Sequence, residues 1–534
     1  MHKGTDCGAG SEGPGAVAIK DGRVLWAGPA DQADWCRGPE TEIVDFGRAT
    51  VVPGLIDAHL HTVSFGLALA QVDVRPAAAP GIPEIQAGIA ARASRTPAGQ
   101  WILGRGYDQN RLREDRHPTR QDLDAAAPDH PVLITHTSGH MSVANTLALH
   151  LAGIGRDTAA PPGGAIVRDE AGEPTGLLQE TAQSLVRKVI PPACRASVRE
   201  AIRLAHERFA REGLTGVHEA GCPAIHPDEI GIYQEALDAG ELKARTYLMI
   251  YSRALADTSR PALGIGLRGG MGRDGGMLSV GPLKLMLDGS LIGRTVILDE
   301  AYEGDPPLAP GEETGLWVTA PDELERLCVA GHAAGWQLAT HAIGDKAIRI
   351  TLDCYEVAHR AAPRAGARHR IEHCGVLNPE LIARLAATGT IPVTQPRFIS
   401  ELGDGFRRNL GAERTRLTYP LRSLLDAGVP VAAGSDRPVV EGAPLLGLHD
   451  AVNQLTVAGL SYVPEEAVSF REAVSMYTAN AARAAFQESW LGRLAPLMAA
   501  DLTVIGGLPE EEPDRIAQLP VLGTMVGGRW TWLA

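Results

Sequence analysis

The sequence predicts an α/β protein: a (β/α)₈ TIM-like barrel, a small β-sandwich built from both termini, and a large insertion after the first barrel strand. Three observations carry this expectation. Between about residues 205 and 480, short apolar runs alternate with segments of helical period, which marks βα units and a parallel sheet. Strand-like segments sit at both ends of the chain, and neither end has enough of them to close a core alone. Five segments place a Lys, His or Asp near the carboxyl end of a predicted strand, where the strands of a barrel converge on one mouth.

In chain order, Ala16–Ile19 and Val24–Trp26 flank Asp21-Gly22, a hairpin signal. Strands return in Asp501–Ile505 and Thr524–Trp532, so residues 1–54 and 485–534 are expected to form one composite β-domain around a barrel spanning 55–484. Residues from about 70 to 205 are rich in Ala, Pro and Gly and carry their own strand candidates, Trp101–Gly104 and Pro131–Thr135, as an insertion would. Thr319 as cap, Pro321 and first-turn acids announce a helix that runs toward Gly335, followed by a strand over Trp336–His341. The same rhythm recurs in Leu421–Gly428 and Val429–Asp436.

The candidate chemistry starts at Asp57-Ala58-His59-Leu60-His61, where strand alternation puts all three polar side chains on one face. Lys284, His341, His373 and Asp436 close the other four segments. Singly, each has a plain alternative: His-x-His arises by chance, a lone His is commonly a bonded structural residue, and Asp436 in Gly-Ser-Asp fits a helix cap. Lys284 is harder to place blandly, because an ammonium among Leu283, Leu285 and Leu287 is costly unless neutralised or paired. Taken together and in order, the set points to a metal site.

That order of His-x-His, Lys, His, His and Asp at strand ends resembles the amidohydrolase superfamily. Gly104-Arg105-Gly106-Tyr107-Asp108-Gln109, Leu123 through Pro128, Ser138-Gly139-His140, Lys284 through Ser290 and His341 through Asp345 are similar to its YtcJ-like branch, which includes N-substituted formamide deformylase. The resemblance runs from about residue 16 to the end and departs from the pattern only in the β-domain, at the opening strand and at Ala495–Asp501. It implies that His59, His61 and Asp436 hold one metal and His341 and His373 a second, with carboxylated Lys284 bridging them. It also implies that Asp436 is general base and then acid. Zinc suits such donors, and iron, manganese and cobalt suit them too. Asp57 is expected to orient a ligand histidine, and His140, His218 and Gln395 to meet substrate.

The implied reaction is hydrolysis of an amide or formamide C–N bond in a small molecule. The alternatives are a mononuclear aminohydrolase acting on a cyclic amidine or aryl amine, a metal-dependent isomerase or lyase, and a barrel without catalysis. The formal charge of −14 argues against a nucleic-acid partner or an anionic membrane surface. Seven scattered cysteines without a Cys-x-x-Cys pair fit reduced thiols. With no apolar leader and no membrane-length apolar run, the expected compartment is the cytoplasm, and a homodimer is the default expectation for assembly.

Overall fold

The computed structural model describes residues 15–136, 139–254, 276–303 and 311–534. The opening segment MHKGTDCGAGSEG and Ser138 of the Ser-Gly-His motif lie outside them. The chain divides into two compact units, one holding the residues up to Thr62 and those from Ala205 onward, the other Val63–Leu204.

The larger unit contains an eight-stranded parallel sheet. In chain order its strands are Leu55–Leu60, Leu214–Cys222, Arg245–Tyr251, Leu278–Met286, Leu338–Ala342, Arg370–His373, Ile391–Thr394 and Ala432–Ala433. Each pairs with the next, and the ring closes beyond the short eighth strand: Asp436 N–H donates to His59 O at 2.7 Å, and His61 N–H to Arg437 O at 2.9 Å. The strands are buried along nearly their whole length, as expected where helices cover a parallel sheet.

Two expectations shift in detail. The helix Pro321–Ala333 starts from Ala320 without a side-chain cap; Thr319 lies one residue too early, its N–H directed to Leu287 O on the barrel wall. The strand expected over Val429–Asp436 shrinks to Ala432–Ala433, because the backbone turns to a left-handed conformation at Asp436 (φ 58°).

Strands from both ends of the chain share one antiparallel sheet, in the order Arg529–Leu533, Val521–Val526, Leu502–Gly506, Ala49–Pro53. The run expected as Thr524–Trp532 is two strands folded at Gly527 and Gly528, both at positive φ. The Gly15–Lys20 and Arg23–Pro29 hairpin turns at Asp21-Gly22, and Val24 and Gly22 exchange backbone hydrogen bonds with Leu497, Met498 and Ala500. Ile19 from the hairpin packs with Leu502, Val504 and Met525 of the sheet.

Val63–Leu204 has its own six-stranded sheet, with strands that include Ile102–Tyr107 and Val132–His136, and its own core of Ile85, Ile89, Ile102, Tyr107, Leu123 and Ile134. Two of the motifs that carry the family resemblance serve this unit. Tyr107 is fully buried, with its hydroxyl 3.1 Å from His117 Nδ1, and Asp124 accepts from the Thr146 N–H and hydroxyl. The six described cysteines are free, and no helix among the described residues is long and apolar enough to cross a membrane.

Candidate metal centre

The barrel brings the predicted ligands together at the carboxyl ends of its strands. His59 comes from the first strand, His61 from the residue just past its end, and Asp436 from the turn after the eighth. Asp436 Oδ1 lies 3.2 Å from His61 Nε2 and 3.5 Å from His59 Nε2, and these three residues form a cluster whose ligand atoms all lie within 4.8 Å of one another. Around the ring, the His59 and His373 centroids are 4.7 Å apart and those of His341 and His373 4.4 Å.

Three of these histidines have one ring nitrogen already spent. His59 Nδ1 donates to Glu372 Oε2 at 2.5 Å, His373 Nδ1 to Gln395 Oε1 at 2.8 Å, and His341 Nε2 to Gly289 O at 2.8 Å. Each bond fixes a tautomer and leaves a lone pair on the other nitrogen, which is how a ligand imidazole is prepared for a cation. The donor set of imidazole and carboxylate fits zinc or a similar divalent ion. His373 (φ 68°) and Asp436 (φ 58°) also hold left-handed backbone, a conformation that costs a non-glycine residue about 1–3 kcal/mol and recurs at functional sites.

Lys284 is 1% exposed on the fourth strand. Burial pushes its pKa down to about 8, against the pull of the Glu372 and Asp436 carboxylates. Its charge in turn depresses His341, whose pKa burial takes down to about 3. Asp436 stays well below the carboxylate range: burial would raise it, and the His59 and His61 imidazoles outweigh that.

A model of the amidohydrolase family matches residues 42–531 of the sequence. The chain belongs to that family. This amidohydrolase is 31% identical to N-substituted formamide deformylase of Arthrobacter pascens over 523 residues, covering 96% of the chain and 94% of the relative. It is also 31% identical to YtcJ of Bacillus subtilis (strain 168) over 521 residues, covering 96% and 95%. Among solved structures, a metal-dependent hydrolase of Pyrococcus horikoshii OT3 superposes with a TM-score of 0.71 at 25% identity, covering 93% of this chain and 94% of that one.

Other residues singled out in the amidohydrolase sequence have partners of their own. Gln395 is fully buried, its oxygen taken by His373 and its nitrogen directed to Val393 O at 3.2 Å, so it braces a histidine instead of meeting a substrate carbonyl. His218 lies in the barrel floor, its Nδ1 3.1 Å from Arg370 Nη1 and its ring 5.0 Å from that of Tyr247. His140 is on Val63–Leu204, exposed and paired with Glu180 at 2.9 Å. Asp57 accepts from the backbone N–H groups of His59 and Ser435, so it ties the seam between the first and last strands and not an imidazole.

Conversely, four partners of the site carried no signal of that role in the sequence. Arg370 forms a two-pronged ion pair with Glu372 and donates to Ala58 O. Glu219 accepts from the Thr62 N–H and the Tyr233 hydroxyl and lies 3.8 Å from His61 Nδ1. Asp288 accepts from the N–H groups of Ile297, Ile343 and Gly344, which interlocks the Lys284 and His341 motifs.

Proposed function

We propose that this amidohydrolase cleaves the C–N bond of a linear amide or formamide at a two-metal centre. In this reading His59, His61 and Asp436 would hold one ion, His341 and His373 the other, and Lys284 would serve both as a carbamate. One observation supports it above the rest: one nitrogen each of His59, His341 and His373 is tied down, which leaves the other free, and a buried lysine and aspartate act on the same histidines. The similarity to N-substituted formamide deformylase over nearly the whole chain supports the bond type.

A divalent metal held by these residues, zinc by the preference of the donors, would make water nucleophilic near neutral pH and polarise the carbonyl. Asp436, kept ionised by its imidazole neighbours, accepts the proton that the attacking water gives up and returns it to the leaving nitrogen. The carboxylate is thus unchanged at the end of a turnover, and the products are a carboxylic acid and an amine. Lys284 with its pKa near 8 has accessible neutral amine, which adds to carbon dioxide and loses a proton to become an anionic ligand.

A mononuclear aminohydrolase is the second reading, favoured by the compactness of the His59, His61 and Asp436 cluster, which suffices for one ion. Metal content per chain, measured on wild type and Lys284→Ala purified without chelator, separates the two. Two metals in wild type with one or both lost in the variant are expected. One metal in both proteins would sink the bridged centre and direct substrate screening from formamides to ring amines.

A further inference from the structure

His218, on the second barrel strand Leu214–Cys222, is 1% exposed and meets a cation: its Nδ1 lies 3.1 Å from Arg370 Nη1. A guanidinium can only donate, so Nδ1 is the acceptor and the ring is the neutral tautomer with its proton on Nε2. Burial and the Arg370 charge hold the His218 pKa well below the ordinary imidazole range, which keeps the Nδ1 lone pair available near neutral pH. His218 is the only acceptor that Nη1 has among the described residues.

Arg370 is fully buried on the sixth strand, yet it reaches the first and second, which are not its neighbours in the sheet, so its side chain crosses the barrel interior. One edge of the guanidinium, Nε and Nη2, grips Glu372 at 2.8 and 3.0 Å, and Nη2 also donates to Ala58 O at 2.8 Å. Nη1, at the opposite corner, goes to His218. Because the guanidinium is a rigid plane, its tilt is set by what holds both ends. Glu372 Oε2 accepts from Nη2 and also from His59 Nδ1 at 2.5 Å. A tilt of Arg370 is therefore passed to the carboxylate that sets the His59 ring. Taking away the His218 acceptor leaves a buried N–H unsatisfied, and turning toward another acceptor is what relieves it.

We infer that His218 is a positioning residue for the metal centre: its Nδ1 anchors the far end of Arg370, Arg370 orients Glu372, and Glu372 holds His59 with Nε2 turned to Asp436. This rests on the reading of His59 as a metal ligand, and it is the same for one ion or two. His218 acts on the cation only through the three residues between them.

Two substitutions separate the acceptor from the bulk of the ring. His218→Asn keeps an oxygen near the Nδ1 position and gives up volume, whereas His218→Leu keeps apolar volume and gives up the acceptor. Zinc affinity of the full chain, by competition with a chromogenic chelator, should weaken about tenfold in His218→Leu and less than about threefold in His218→Asn. In a Glu372→Gln background the effect of His218→Leu should shrink to within about twofold, because the route to His59 is already cut. If His218→Leu does not fold, His218→Gln replaces it, since its amide oxygen reaches toward the Nε2 position and away from Arg370. Wild-type affinity in the variant without the acceptor would overturn the assignment. So would an equal loss in His218→Asn, or a loss undiminished by Glu372→Gln, since packing alone explains both. These results overturn the role of His218 alone; a wild type that takes up no zinc would overturn the metal reading with it.

Discussion

Glu372 lies on the sixth barrel strand, beside His373, but the histidine it holds is His59 from the first. It can do so because Arg370, two residues earlier on the same face, neutralises it with two hydrogen bonds, so a carboxylate with no exposure stays ionised. Glu372→Gln should therefore weaken metal binding by about 10–100-fold, the usual effect of losing a carboxylate behind a ligand histidine. Competition with a chromogenic chelator measures this directly. Unchanged affinity would mean that Glu372 serves Arg370 alone. At this scale the candidate ligands were legible, because His59, His61, His341, His373 and Asp436 end apolar runs where a polar side chain needs a reason. Their supports were not. Gln395 looked like a substrate contact because one-dimensional text does not say which nitrogen of His373 faces it.

Among the elements, the eighth strand carries the tightest constraint. A Cβ on Gly434 would lie 2.5 Å from His59 N and 2.8 Å from His59 Cβ, so the last strand can approach the first only through glycine. Gly434→Ala should force the two strands apart. The expected cost is about 1–3 kcal/mol or more, since backbone has to move, together with a loss of bound metal because His59 is displaced. Denaturant unfolding with metal analysis of the same samples checks both. Most elements were predictable, since βα rhythm, Asp21-Gly22 and Pro321 are local signals. The eighth strand was overestimated because Val429–Ala433 has strand composition, while the left-handed turn at Asp436 is imposed by closure of the ring, a long-range demand.

Across the whole molecule, Asp501 couples the two-ended β-sheet to the barrel. Its carboxylate binds Arg245 at 2.7 and 2.9 Å and also accepts from Gly527 N–H, while its backbone oxygen receives Gly54 N–H. Both charged side chains are buried, so Asp501→Ala removes a two-pronged buried carboxylate from Arg245 and should cost about 3–5 kcal/mol. Global unfolding by denaturant should show that loss, whereas metal content per folded chain should stay at the wild-type value. Composition pointed to a sheet shared by the two ends of the chain, but not to the ion pair that ties it down, since 256 positions separate its partners. The ring-closing bonds from His59 and Asp436 carry a consequence for biosynthesis. His59 and His61 are synthesised well before Asp436, the third member of the cluster. A nascent chain thus lacks one member of the candidate metal cluster until its last barrel strand has been made.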